Sequence, residues 1–341
     1  MINIRSIGNF QITRGYAEAF GIKLATFISK VWSMFSNRFN QIKNLRRGVV
    51  NMTIPGVSKI CVVGAGNMGH QIALCCAIAG YQVKCIDVNE EILKKAEAFA
   101  DDYLPKRVAK GKMTEEAAKQ ARANISFTGD LKEAAYDADV VIEAILEKID
   151  LKLKVFAQLD EICPPHTILA TNSSFIVSSR IAPATKRPEK VCNMHFFNPA
   201  LVMKLVEVVN GPHTSDETAQ TIYDLAKDIG KVPVMLKKEI DGFLVNRIVS
   251  AINHEALYIY DMGVASYEDI DKAVVYALGH PMGPFRLMDL TGIDLAYYIG
   301  MEHYQANGDP AHKPSPIIVE KFVKKEWGEK TGKGFYDYTK K

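Results

Sequence analysis

A chain of 341 residues, 48% hydrophobic and 24% charged, is long enough for two domains with substantial cores. Its formal net charge of +3 gives no reason to expect nucleic acid or an acidic partner. The six cysteines show no CxxC and no metal-ligand spacing, and most lie in apolar runs, so the sequence predicts no metal site and a reducing compartment.

The charge is uneven along the chain. Residues 1–51 carry eight Lys or Arg against one acid, Glu18, and hold no apolar run long enough to span a bilayer. Tyr16 to Phe39 has the periodicity of a basic amphipathic helix, which is also the profile of a mitochondrial transit peptide. A translated upstream region is the preferred expectation, because Met52 immediately precedes the first strand of a complete domain. Residues 1–51 are therefore set aside as a leader. A cytoplasmic protein without stable membrane insertion follows, or a mitochondrial matrix protein if the leader is a transit peptide.

From Met52 onward, Lys59 to Val63 reads as a short buried strand running into Gly64-Ala-Gly66-Asn67-Met68-Gly69 and an apolar helix over 70–79. Gly64 permits a tight turn, Gly66 lets the backbone approach a pyrophosphate, and Gly69 allows close packing of helix on strand. The helix N-terminus offers free N–H groups to phosphates. A second strand, 82–86, ends at Asp87, placed to accept hydrogen bonds from an adenosine ribose. With no Arg at 88–90 to receive a 2′-phosphate, NAD is favoured over NADP.

Residues 89–123 predict two helices, one more than a simple crossover needs, with a basic middle at Lys106, Arg107, Lys110 and Lys112. Spacing alone reads that middle as a solvated helix face. Strands follow at 125–127, 139–142 and 167–170, with a helix near 149–161. The alternation predicts an α/β fold of Rossmann type, a doubly wound and mostly parallel sheet. Thr171-Asn172-Ser173-Ser174 leaves the C-terminal end of a strand, where such sheets bind ligands. These side chains either reach a ligand or cap the chain that follows.

Two apolar strands, 191–197 and 204–209, are joined by a loop carrying Asn198-Pro199, which predicts an antiparallel hairpin late in the sheet. Centred on Leu201, the hairpin sets His195 opposite Glu207 on one face. Such a pair either satisfies itself within a core or serves as a general base held by a carboxylate. A helix over 215–229 and a strand over 232–235 close the domain, predicted to span 52–240. Helical periodicity at 243–262, 266–278 and 291–306 predicts an all-helical second domain over 241–341, whose apolar surfaces suggest a subunit interface.

Six motifs in order carry a resemblance to the short-chain 3-hydroxyacyl-CoA dehydrogenase family, especially its bacterial 3-hydroxybutyryl-CoA members. They are GAGNMG at 64–69, HFFNP at 195–199, MKLVEVV at 203–209, GFLVNRI at 242–248, GHPMGPF at 279–285 and TGKGFYDY at 331–338. The resemblance covers 57–338. It implies that His195 is the catalytic base, that Glu207 is its carboxylate partner, and that Ser174 and Asn246 hydrogen-bond the substrate oxygens. It also implies that Gly64, Gly66, Asn67, Met68, Gly69, Asp87, Glu147, Lys152, Asn172 and Asn198 hold the NAD cofactor. Lys110 and Lys112 would meet the phosphates of an acyl-CoA substrate, and the helical domain would form a homodimer. The sequence departs from the family in reading Asn-Ser-Ser-Phe at 172–175, Asp241 ahead of GFLVNR, and Arg286 after GPF. A related dehydrogenase of a non-CoA hydroxy acid, and a non-catalytic NAD-binding protein, stand as the alternatives.

Overall fold

The computed structural model describes residues 54–310 and 313–339, so the leader expected over 1–51 lies outside the described residues. The chain divides into two compact units between Ile240 and Asp241.

The first unit contains β1 (Lys59–Val63), α1 (Gly69–Ile78), β2 (Gln82–Ile86), α2 (Glu90–Ala109), α3 (Glu115–Ala123) and β3 (Ile125–Thr128). It continues through α4 (Leu131–Ala135), β4 (Val140–Glu143), α5 (Ile149–Ile162), β5 (Ile168–Thr171), β6 (Val191–Phe196), β7 (Leu205–Val209), α6 (Asp216–Asp228) and β8 (Val232–Leu236). The strands form one sheet in the order β3-β2-β1-β4-β5-β6-β7-β8, parallel except where β7 runs antiparallel to β6. All eight strands expected from the apolar runs are present. Strand order reverses between β1 and β4, and the crevice at that switch point is where the glycine loop begins.

The central strands β1, β4, β5, β6 and β7 are buried on both faces, which is why they read as largely apolar runs rather than alternating ones. Ile60 and Val62 of β1 face a core shared with Ile72, Ala73 and Cys76 of α1. Cys61 and Val63 face the opposite core, with Phe156 and Leu159 of α5. Helix α1 is itself enclosed: Leu74, fully buried, packs away from the sheet among Ala100 and Leu104 of α2 and Ala118 and Ala121 of α3. The additional helix pair therefore covers the outer face of a largely apolar helix, and truncating Leu74 to alanine is expected to cost about 2–5 kcal/mol. Pro233 is tolerated in β8 because that strand is the sheet edge.

The hairpin has the register of a loop centred on Leu201: His195 pairs with Glu207, Asn193 with Val209. Between β5 and β6 the chain runs through three short 3₁₀ turns, Ser178–Arg180, Ala182–Ala184 and Pro188–Lys190.

The second unit contains α7 (Val245–Asp261), α8 (Tyr267–Leu278), α9 (Pro284–Thr291), α10 (Ile293–Asn307) and α11 (Pro316–Val323). Two of these, α9 and α11, were not among the helices expected from periodicity. Each starts with proline at its first position, where the missing N–H costs nothing and the fixed φ suits a helix. Phe285, Met288, Ile293, Ile318 and Phe335 form the core. Fully buried Asp289 accepts the backbone N–H groups of Phe335 and Tyr336 and the Tyr338 hydroxyl, tying the C-terminal segment to α9.

Candidate active site

His195 and Glu207 face each other across the hairpin at sites only 3% and 0% exposed. Imidazole Nδ1 lies 2.8 Å from Glu207 Oε2, and Nε2 lies 3.1 Å from Ser174 Oγ. A carboxylate only accepts hydrogen bonds, so opposite Glu207 the Nδ1 carries the proton and Nε2 is left as the acceptor. That nitrogen points past the C-terminal end of β5, toward the hydroxyl of Ser174. Neutral, the imidazole can take a proton at Nε2; charged, it is held by the carboxylate behind it.

The two serines after β5 divide the roles that sequence left open. Ser173, 3% exposed, is internal: its hydroxyl donates to Glu147 and accepts the Ile176 N–H at 2.7 Å. Ser174 carries the hydroxyl that meets His195. Asn172 Oδ1 accepts the Phe196 N–H at 2.9 Å, so the side chain assigned to the cofactor also joins the ends of β5 and β6.

The glycine loop has the geometry of a dinucleotide cradle. Gly64 adopts φ +99°, and a Cβ there would lie 2.8 Å from the Ala144 carbonyl oxygen. At Gly69 a Cβ would overlap the carbonyl of Gly64, whereas at Gly66 the same atom would enter open space where a phosphate must approach. The N-cap residue Met68 gives α1 no side-chain cap, and no acid stands in its first turn, leaving its N–H groups to an anion. The Asp87 carboxylate accepts Ala65 N–H at 2.9 Å and Asn89 N–H at 3.0 Å, which aims it across the loop mouth with lone pairs remaining for ribose hydroxyls. NAD fits these residues. Asn67 Nδ2 donates to Asn198 Oδ1 at 3.1 Å, linking the glycine loop to the hairpin loop.

Beneath this lies a charged cluster that sequence reasoning missed. Glu143, the last residue of β4 and fully buried, accepts from Ile145 N–H (2.7 Å), Thr171 Oγ1 (2.6 Å) and Lys152 Nζ (2.8 and 3.0 Å). Lys152 Nζ also lies 3.3 Å from Glu147. The resemblance puts Lys152 against the cofactor; its ammonium is 1% exposed and lies between two carboxylates. An isolated buried charge would be costly, so it pairs inward and supports Glu147 from behind. A lysine nine residues beyond a strand-ending acid was the available signal.

Burial pushes the Glu147 carboxyl upward, but Ser173, Lys152 and the N–H groups of Phe175 and Ile176 outweigh it and hold the group below its ordinary 4.5. A depressed folded value means that the unfolded chain takes the proton first as pH falls. Glu147 therefore contributes stability fully above pH 4.5, and loses it as pH drops through the lower folded value. Melting curves from pH 7 to pH 3 are expected to show a shallower acid limb for Glu147→Gln than for the unaltered chain; identical limbs would refute this.

Lys110 is the C-cap of α2 and Lys112 follows it in the turn before α3, both exposed. Asn246 stands half-buried in the first turn of α7, in the second unit. Among the described residues no group of three or more His, Cys, Asp or Glu could hold a metal ion.

A dinucleotide cradle at the switch point, and a buried imidazole with one nitrogen fixed and one presented to a ligand, define a dehydrogenase of alcohols. Residues 59–240 match the model of the 3-hydroxyacyl-CoA dehydrogenase NAD binding domain, and residues 242–338 that of the 3-hydroxyacyl-CoA dehydrogenase C-terminal domain. The chain belongs to the 3-hydroxyacyl-CoA dehydrogenase family, whose cofactor is NAD. It is 42% identical to a probable 3-hydroxybutyryl-CoA dehydrogenase of Bacillus subtilis over 84% of this chain and 99% of that one. Identity to the mitochondrial hydroxyacyl-coenzyme A dehydrogenase of Homo sapiens is 38%, over 83% of this chain and 91% of the human protein. The crystal structure of (S)-3-hydroxybutyryl-CoA dehydrogenase from Ralstonia eutropha superposes with a TM-score of 0.77 at 36% identity, covering 83% of this chain and all of that one.

Proposed function

We propose that the chain interconverts L-3-hydroxyacyl-CoA and 3-oxoacyl-CoA, with the four-carbon pair 3-hydroxybutyryl-CoA and acetoacetyl-CoA foremost. The observation that carries this reading is the Ser174–His195–Glu207 chain of hydrogen bonds at the C-terminal end of the sheet. His195 Nε2 takes the proton of the 3-hydroxyl, and Glu207 steadies the imidazolium so formed. In reduction the same nitrogen returns the proton to the nascent alkoxide. Ser174, beside His195, and Asn246 hydrogen-bond the substrate oxygens, as the resemblance implies, where charge develops. Hydride acceptance from C3 is the chemistry that NAD would supply when bound. Glu147 and Asn198 border that cofactor, while Lys110 and Lys112 meet the CoA phosphates. Burial of the dyad keeps water from the nitrogen that moves the proton.

The second unit is the dimerisation domain in this reading. Ile248, Tyr258, Met262 and Val264, 55–73% exposed, supply the apolar surface that a second copy would cover. The compartment is the cytoplasm, or the mitochondrial matrix if residues 1–51 act as a transit peptide; among the described residues no helix is long and apolar enough to cross a membrane. Fatty-acid oxidation and butyrate metabolism are the settings that use this reaction.

The test is NADH oxidation by the full chain with acetoacetyl-CoA, longer 3-oxoacyl-CoAs and free oxo acids in parallel. Turnover with the CoA thioesters, greatest in kcat/KM at four carbons, is the expected result. Turnover of free acids alone would move the chain to the non-CoA hydroxy-acid dehydrogenases. No turnover by folded, NADH-binding protein would make it a non-catalytic binder.

A further inference from the structure

The geometry points to Glu143 as a positioning residue for the reaction: a buried carboxylate that never touches a ligand but fixes, through Thr171, where the Ser174 hydroxyl stands. This inference rests on the proposed role of Ser174 beside His195.

The argument starts from hydrogen-bond direction. Glu143 as a carboxylate can only accept, so the Thr171 hydroxyl must spend its single proton on Oε2, at 2.6 Å. The Thr171 oxygen is thereby left as an acceptor, and it receives the Ser173 N–H at 3.1 Å. On the other side of Ser174, the Phe175 N–H goes to Glu147 Oε1 at 3.0 Å. Lys152 joins the two carboxylates, contacting both oxygens of Glu143 and one of Glu147. Ser174 is thus bracketed: the amide before it is tied to Glu143 through Thr171, and the amide after it to Glu147. With both flanking amides fixed, the hydroxyl of Ser174 is delivered to Nε2 of His195 at 3.1 Å.

Stability alone is a poor account of this cluster. Burying an ion pair costs desolvation that its own attraction barely repays, and apolar residues of similar volume often do as well. What an apolar replacement could not do is set the direction of the Thr171 hydroxyl, and with it the turn that follows β5.

The test is a double-mutant cycle in kcat between Glu143→Gln and Ser174→Ala, with hydrogen exchange of the 171–176 backbone as a readout independent of turnover. Glu143→Gln is expected to lower kcat by about 10- to 100-fold, the scale of a misplaced catalytic contact, and to speed exchange in that segment. In the Ser174→Ala background the same change is expected to cost less than about threefold, since the group being positioned is already gone. Thr171→Val cuts the same link at little change in volume and keeps the question open to test should Glu143→Gln not fold. It is expected to behave likewise, whereas Thr171→Ser, which keeps the hydroxyl, is expected to retain kcat. Additive losses in the cycle, or equal kcat for Thr171→Val and Thr171→Ser, would overturn the inference. If the unaltered chain turns over none of the substrates while Thr171→Val still loosens 171–176, the functional reading fails and the positioning of Ser174 stands.

Discussion

Replacing His195 with glutamine is expected to lower kcat for acetoacetyl-CoA reduction by about 10²- to 10⁴-fold, the contribution of a positioned acid–base group. The effect is specific because glutamine preserves much of what the site needs structurally. Its amide nitrogen can still donate toward Glu207, now 2.8 Å from Nδ1, and its size suits a position 3% exposed. What it lacks is a nitrogen that gains and loses a proton. NADH titration by fluorescence is therefore expected to give an unchanged Kd, because the change leaves in place the glycine loop, Asp87 and the Asn67–Asn198 hydrogen bond that links the loop to the hairpin. A variant that folds, binds NADH and keeps kcat within about threefold would move the acid–base role away from His195.

Much of this site is legible in the sequence. The hairpin register followed from counting, since a turn centred on Leu201 leaves no freedom in which residue opposes His195, and a slip of one would turn the whole strand over. The sheet was legible for a similar reason: strands buried on both faces must be apolar throughout, and Gly64, Gly80 and Gly230 punctuate them. The Glu143–Lys152–Glu147 cluster was not, because a strand-ending acid and a helical lysine have no periodicity that relates them. Only the packing of α5 on the sheet brings Lys152 to two carboxylates. Ser173 and Ser174 are chemically identical neighbours, so spacing could not separate them and only the resemblance singled out Ser174; the turn after β5 sends Ser173 inward. Helices α9 and α11 escaped notice because each opens on a proline, which punctuates a sequence whether it ends a helix or begins one.

Glu207→Gln is the companion change, and its expected cost in kcat is also large, up to about 10⁴-fold, as when a catalytic imidazole loses the carboxylate that holds its tautomer. Glutamine matches the shape of Glu207 in a fully buried site on β7, so thermal melting is expected to report a folded protein. Its amide, however, can donate as well as accept. Presenting an N–H₂ to Nδ1 would favour the tautomer protonated at Nε2, which faces Ser174 with a proton it should be receiving. The carboxylate charge that steadies the imidazolium is lost in the same stroke. Combining the two substitutions distinguishes a working pair from two independent residues. If Glu207 acts through His195, the double variant is expected to be no slower than His195→Gln alone, because the group on which Glu207 acts has already been removed. A double variant slower by the product of the single effects would mean that Glu207 serves the reaction, or the fold, by a route that does not pass through the imidazole.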